Sequence, residues 1–228
     1  MNVDLNLVID VLIKHYLRDL SSESLIPIKA RERLLTPLEV LIGVVLSQNS
    51  TDRNAWRVLE SLLDYYGGRV TIDKIREVKS STLEALIRPA GMYRLKARTL
   101  KNIASRLKRE GELMELDVDE LRRLLLSIRG VGPKTVDVFL ASVRNVPTFP
   151  IDTHIRRVLY RLGVTGSSSE RYERIRATVM EQLPPVKLLR AHYALILHGR
   201  EVCKARTPRC ASCPVESMCM KKGLNKRL

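Results

Sequence analysis

Helix starts recur along this chain at intervals that leave little room for anything but packed helices. Thr36-Pro37-Leu38-Glu39 has the form of a capping box with proline at the first helical position. Ser81-Thr82-Leu83-Glu84 and Asp117-Val118-Asp119-Glu120 repeat the pattern of a cap followed by a glutamate. After each start, apolar residues return every three or four positions, so each segment has one face to bury. Gly67-Gly68, Gly91, Gly111 and Gly163 read as stops. The pattern predicts helices near 4–20, 37–48, 52–66, 73–78, 82–88, 94–109, 118–128, 133–144, 153–162, 169–183 and 186–199. No stretch alternates as a half-buried strand must, and no internal repeat appears. The expected fold class is therefore all-α, a compact bundle and not a solenoid. A second segment opens at Val146-Pro147-Thr148-Phe149-Pro150, where two prolines break the helical run.

Charge narrows the partner. Forty Lys and Arg against 25 Asp and Glu give a net charge of +15 over 228 residues. That excess says nothing about fold; a basic surface also aids solubility, but it suits a polyanion best. The N-terminal MNVDLNLVIDVLIKHYL carries two aspartates and a helical rhythm, unlike a secretory signal. The longest apolar run, Val40 to Leu46, is far short of the roughly 20 residues a membrane span needs. The expectation is a soluble, monomeric protein of the cytosol or nucleoid with no membrane partner.

The stretch Gly130-Val131-Gly132-Pro133-Lys134-Thr135 joins a helix ending near Ile128 to one starting at Pro133. Such a helix–hairpin–helix offers backbone N–H groups that have no intrahelical partner, and these suit a phosphate oxygen. Glycine at 130 and 132 lets backbone approach a ligand with no Cβ between. A plain helix–helix turn has the same glycine stop and proline start, so the motif alone does not decide. Lys134 falls in the first turn, where the helix end is already positive and an ammonium is disfavoured. A neutral amine there is a nucleophile able to form a Schiff base. An ordinary solvated lysine is the alternative.

Asp152, after the rigid Pro150 and before a helical run, is a natural N-cap. A carboxylate close to Lys134 would also stabilise a developing sugar cation or take a proton from the amine. His154 reads as a local helix residue. The four cysteines, Cys203, Cys210, Cys213 and Cys219, crowd into 17 residues near the C-terminus. A metal site suits them better than disulfides in an intracellular chain. Zinc on four thiolates is usually built from two C-x2-C knuckles, and only one such pair is present. The uneven spacing fits an iron–sulfur cluster better, without excluding zinc.

Taken together, RGVGPKT, PIDTHIRR, ILHGREVC and the C-x6-C-x2-C-x5-C run resemble the endonuclease III family, the iron–sulfur branch of the helix–hairpin–helix DNA glycosylases. The resemblance runs from about Thr36 to Cys219, with the motifs in the family's order. It implies a two-domain helix–hairpin–helix glycosylase fold with a C-terminal iron–sulfur cluster loop. A six-helix barrel over 36–146 would stand beside a cluster domain formed by 1–35 and 147–228, with DNA in the cleft. It implies Lys134 and Asp152 as catalytic residues, and a [4Fe–4S] cluster on the four cysteines bracing a basic loop that carries Lys204, Arg206 and Arg209. LSQNSTD is similar to the family's LSAQATD and puts Asn49 where a glutamine fills the gap left by an extruded base; Gln48 is the neighbouring alternative. GMYRLKA is similar to GLYNSKA and puts Met92 at the family's wedge.

The implied function is removal of oxidised pyrimidines from damaged double-stranded DNA, followed by strand cleavage through a Lys134 Schiff base. The target nucleotide would be flipped out of the stack to expose C1′. With ten aromatic residues in all (one Trp, seven Tyr, two Phe), readout should lean on hydrogen bonds and easy unstacking. A monofunctional glycosylase for T or U opposite G, and a non-catalytic DNA-binding module, stay open.

Overall fold

A computed structural model describes residues 3–17 and 33–224, and among them every regular element is helical. In chain order these are α1 (Leu5–Tyr16), α2 (Pro37–Ser47), α3 (Asp52–Tyr65), α4 (Ile72–Glu77), α5 (Ser80–Ile87), α6 (Tyr93–Arg106), α7 (Glu112–Glu115), α8 (Val118–Leu126), α9 (Pro133–Val143), α10 (Thr153–Leu162), α11 (Tyr172–Gln182) and α12 (Leu188–Glu201). Short 3-10 turns lie at Arg88–Ala90, Pro185–Lys187, Cys210–Ser212 and Glu216–Met218. The all-α expectation holds.

Most caps read from the sequence are made. Thr36 and Glu39 form both bonds of the capping box, and Asp117 accepts from the N–H groups of Asp119 and Glu120. The Ser81 cap is not. Lys79 takes the N-cap position of α5 and the Leu83 N–H already bonds the Lys79 carbonyl, so Ser81 sits inside the first turn. Gly111 stops nothing; α6 ends at Arg106, where the extended, fully buried Leu107 turns the chain into the core, and Gly111 precedes the short α7 that the sequence reading missed. The helix expected from 169 begins at Tyr172, because Ser167 and Glu170 side chains bond the backbone of Ser169 and Gly166 in a turn. The last helix starts two residues late, after the Pro185–Lys187 turn, and α8 stops at Leu126. Of the helix expected over 4–20, α1 ends at Tyr16, and 18–20 lie outside the described residues.

The backbone divides into two compact units, one within Met1–Ser22 and Pro147–Leu228, the other within Glu23–Val146. In the latter, α2 is apolar almost all round and is buried accordingly. Leu38, Leu41, Ile42, Val45 and Leu46 enter the main core, while Val40 and Val44 pack against Val138 of α9 on another face. Glu39 is wholly buried in this helix yet fully used, accepting from the backbone of Thr36 and Val70 and from Arg69. The core extends to Val131 in the hairpin, 5% exposed, whose burial contributes about 2 kcal/mol toward holding the bend in place.

In the other unit, α12 packs against both α1 and α10. Leu5, Val8, Ile9 and Leu12 supply the buried face of α1, and Ile155, Val158 and Leu159 that of α10. Gly199 fits the close approach of α10, since a Cβ there would stand 2.8 Å from the Cβ of His154.

Candidate functional site

The hairpin is built by three separate constraints. Gly130 has φ +99°, a left-handed backbone that side chains resist. A Cβ on it would also collide with Thr99 of α6, 2.0 Å from Oγ1. The Asn102 amide, one turn further along α6, donates to the Arg129 carbonyl at 2.9 Å. Gly132 is different: its φ is −102° and a Cβ there would meet nothing within 4 Å. Folding does not demand that glycine. Gly132 caps α9 without a side chain, and the first intrahelical bond runs from Val136 N–H to the Gly132 carbonyl. The N–H groups of Lys134 and Thr135 therefore have no intrahelical acceptor. Lys134 is half-buried on this first turn and makes no ion pair among the described residues.

Gln48 and Asn49, adjacent in sequence, go to different places. Gln48 Nε2 donates to the Gly130 carbonyl at 3.2 Å and to Thr135 Oγ1 at 3.0 Å, so its amide is spent bracing the hairpin. Asn49 is exposed, with φ +50°, and its amide nitrogen donates to the Met92 sulfur at 3.4 Å. Met92 is also left-handed, φ +48°, and 50% exposed, a costly place for an unbranched apolar side chain. Two strained residues thus meet at the protein surface.

Asp152, in the other unit, caps α10 and accepts from Ile155 N–H at 2.8 Å. The expected structural role is present. It is half-buried, and the next turn of its helix carries Arg157.

Cys203, Cys210, Cys213 and Cys219 line one cavity with Val158, Leu162, Val202, Pro208, Val215 and Leu224 among its apolar walls. All four are free thiols. N–H groups face the sulfurs: Arg161 Nη1 lies 3.4 Å from Cys203 Sγ and the Lys221 N–H 3.4 Å from Cys219 Sγ. His198 Nε2 is 3.8 Å from Cys213 Sγ, and its Nδ1 bonds Tyr16 Oη at 3.1 Å. Burial first, then the neighbouring thiolates, push the Cys213 and Cys219 thiols up. Four thiols gathered round one apolar cavity, two of them pushed up by burial, fit a cationic iron–sulfur core, which would favour their thiolate forms. Among the described residues no three His, Cys, Asp or Glu side chains gather closely enough for a single metal ion.

Two arginines for which the sequence predicts no role hold this loop. Arg161, 7% exposed, donates to the carbonyls of Lys204 and Ala205 at 2.6 and 2.8 Å, and Arg157 to those of Cys203 and Gly199 at 2.9 and 2.7 Å. Their i,i+4 spacing in HIRRVLYRLG was the available signal. Arg206 and Arg209 remain exposed on the loop so held, and Lys204 is half-buried. The sequence predicts no role for Lys96 either; burial holds its ammonium down to a pKa of about 8.

An all-helical fold, a glycine hairpin opening a helix with a lysine, and four thiols round one cavity define a class. Residues 42–185 match the HhH-GPD superfamily of base excision DNA repair proteins, and the chain belongs to that family. Among curated relatives it is 40% identical to an endonuclease III of Sulfolobus acidocaldarius over 179 residues, 78% of this chain and 79% of that one. It is 34% identical to the Bacillus subtilis endonuclease III over 198 residues, 84% and 87% of the two chains. A trapped covalent endonuclease III–DNA intermediate, in an estranged-adenine complex, superposes with a TM-score of 0.77 at 31% identity, covering 93% of this chain and 92% of that one. No helix among the described residues is long and apolar enough to cross a membrane.

Proposed function

We propose that this protein is a bifunctional DNA glycosylase and abasic-site lyase of base excision repair, acting on oxidised pyrimidines in duplex DNA, with Lys134 as nucleophile and Asp152 as its charged partner. The observation that carries it is the hairpin, which presents Lys134 on the first turn of α9 beside backbone N–H groups suited to phosphate. The reading pairs a barrel domain over 36–146 with a cluster domain over 1–35 and 147–228.

Chemistry begins once the damaged nucleotide leaves the stack. The Lys134 amine attacks C1′ as the glycosidic bond breaks and the base departs with the bonding electrons. Asp152 offsets positive charge on the sugar and accepts the proton released by the amine. Ring opening gives an imine, which acidifies the C2′ protons. Loss of one, with cleavage of the C3′–O bond, releases the 3′-phosphate, and water then hydrolyses the imine and frees Lys134. Asn49 and Met92 fill the vacated stack while Gln48 holds the hairpin; two facts support this division, the engaged amide of Gln48 and the exposure of the other two.

The four cysteines would hold a [4Fe–4S] cluster, which supplies structural bracing when bound. Arg157 and Arg161 fix the loop backbone so that Lys204, Arg206 and Arg209 face the DNA backbone.

Borohydride trapping tests the nucleophile. Wild type should be locked covalently to lesion-bearing duplex, and Lys134→Ala should lose both the adduct and strand cleavage. Base release without any trapped adduct in wild type would instead favour a monofunctional glycosylase. Nicking left intact in Lys134→Ala would remove Lys134 from the chemistry altogether.

A further inference from the structure

One lysine is buried where no carboxylate meets it. Lys96 of α6 is 1% exposed, and its Nζ donates to the Leu46 carbonyl at 2.7 Å and to the Ala90 carbonyl at 2.8 Å. It makes no ion pair among the described residues. Burying an ammonium against carbonyls alone is costly, and an apolar residue would pack there with less penalty. The two acceptors are informative. Leu46 lies in the last turn of α2, where carbonyls have no helical donor, and Asn49 follows three residues later. Ala90 ends the Arg88–Ala90 turn, and Met92 follows two residues later. A single ammonium therefore ties together the two backbone segments that end in the touching pair Asn49 and Met92.

We propose that Lys96 is a positioning residue that sets the spacing of Asn49 and Met92, so that both enter the DNA stack together. This rests on the reading that those two residues fill the gap left by the flipped nucleotide. A rigid link matters because each sits on a left-handed residue at a loop tip, with little packing of its own. Without the shared donor, Leu46 and Ala90 carbonyls would separate to find water, and the two tips would move apart. The ammonium is fit for this because its donors point in several directions, which lets it join two acceptors from different elements.

The test compares wild type with Lys96→Met, which keeps the stem and removes the donors, and Lys96→Gln, which keeps two donors on a shorter reach. Three readouts are taken after thermal melting has established that the variants are folded at the assay temperature. These are single-turnover excision from a lesion-bearing duplex, fluorescence of 2-aminopurine placed opposite a stable abasic-site analogue, and binding to undamaged duplex, which has no gap to fill. Lys96→Met should lose about tenfold or more in excision, while undamaged-duplex binding stays within about twofold of wild type. Its fluorescence change on binding the abasic duplex should shrink to that of Asn49→Gly. Lys96→Gln should fall between, and serves alone if Lys96→Met does not fold. Adding Asn49→Gly to the Lys96 variant should cost little more, because both act through one contact.

Equal losses on damaged and undamaged duplex would make Lys96 a stability residue only and overturn the proposal. Full additivity with Asn49→Gly would overturn it too, as would unchanged excision. If Asn49→Gly and Met92→Ala each leave excision and fluorescence at wild-type values, the gap-filling reading itself fails, whatever Lys96 does.

Discussion

The Asn49 amide nitrogen lies 3.4 Å from the Met92 sulfur, although 42 residues separate them and both have left-handed backbones. An amide–thioether contact is weak, so it does not hold the loops together. It marks where they have been brought by something else. Replacing Asn49 with glycine relieves φ strain while deleting the side chain. Melting of Asn49→Gly should therefore differ from wild type by no more than about 1 kcal/mol in stability, while excision from duplex falls. Calorimetry beside single-turnover excision checks it, and a parallel loss of both would show that Asn49 serves the fold.

The hairpin glycines should separate in the same manner. Gly130→Ala forces a Cβ into Thr99 at a positive φ and should destabilise the protein by about 2 kcal/mol or more, seen as a lower melting temperature. Thr99→Ala should recover part of that loss. Gly132→Ala meets open space and should melt like wild type, yet bind DNA more weakly if phosphate comes against that backbone. Fluorescence anisotropy at fixed salt reads the difference. Wild-type affinity in Gly132→Ala would remove the phosphate cradle from the hairpin.

Asp152 carries a cap and a charge, and two substitutions divide them. Asp152→Asn keeps an oxygen for the Ile155 N–H and should preserve the melting temperature, with base release slowed by about 10²-fold or more. Asp152→Ala should show the same chemical loss plus about 1 kcal/mol of destabilisation. Should Asp152→Asn retain full rate, the carboxylate is a cap and nothing else.

Lys96 ties stability to pH. Its pKa falls to about 8 in the folded protein because burial penalises the ammonium, against the usual 10.5 when unfolded. Between those values the unfolded chain binds the extra proton, so this residue's contribution to stability rises with pH across that window. Melting temperatures of wild type minus Lys96→Met should grow more positive from pH 8 to pH 10. A flat difference would mean that the amine is solvated.

For the cysteines, the expected preparation contains iron and acid-labile sulfide in equal amounts, with broad visible absorption from iron–thiolate bonds. Cys213→Ser should lose that colour and lower DNA affinity as the loop bearing Arg206 and Arg209 slackens. Zinc in place of iron, with no sulfide, would refute the cluster assignment.

Local signals wrote most of the helices into the sequence. Thr36, Asp117 and Asp152 cap where their side chains can reach the next turn's N–H groups, a matter of three residues and thus legible in one dimension. The Gly130–Lys134 bend and the cysteine spacing were legible for the same reason. The cap expected at Ser81 was displaced to Lys79, because the two linking residues Val78 and Lys79 keep ψ of 136° and 139° and the helical backbone already begins at Ser80. What the string of residues could not decide is which of Gln48 and Asn49 turns to the hairpin, or that a lysine 47 residues beyond Asn49 fixes that loop. Those choices depend on acceptors in the hairpin and α9 for Gln48, and in α2 and the 88–90 turn for Lys96, that meet their donors only when the core closes. A hydrogen bond between distant segments leaves no periodic trace, so packing alone selects it.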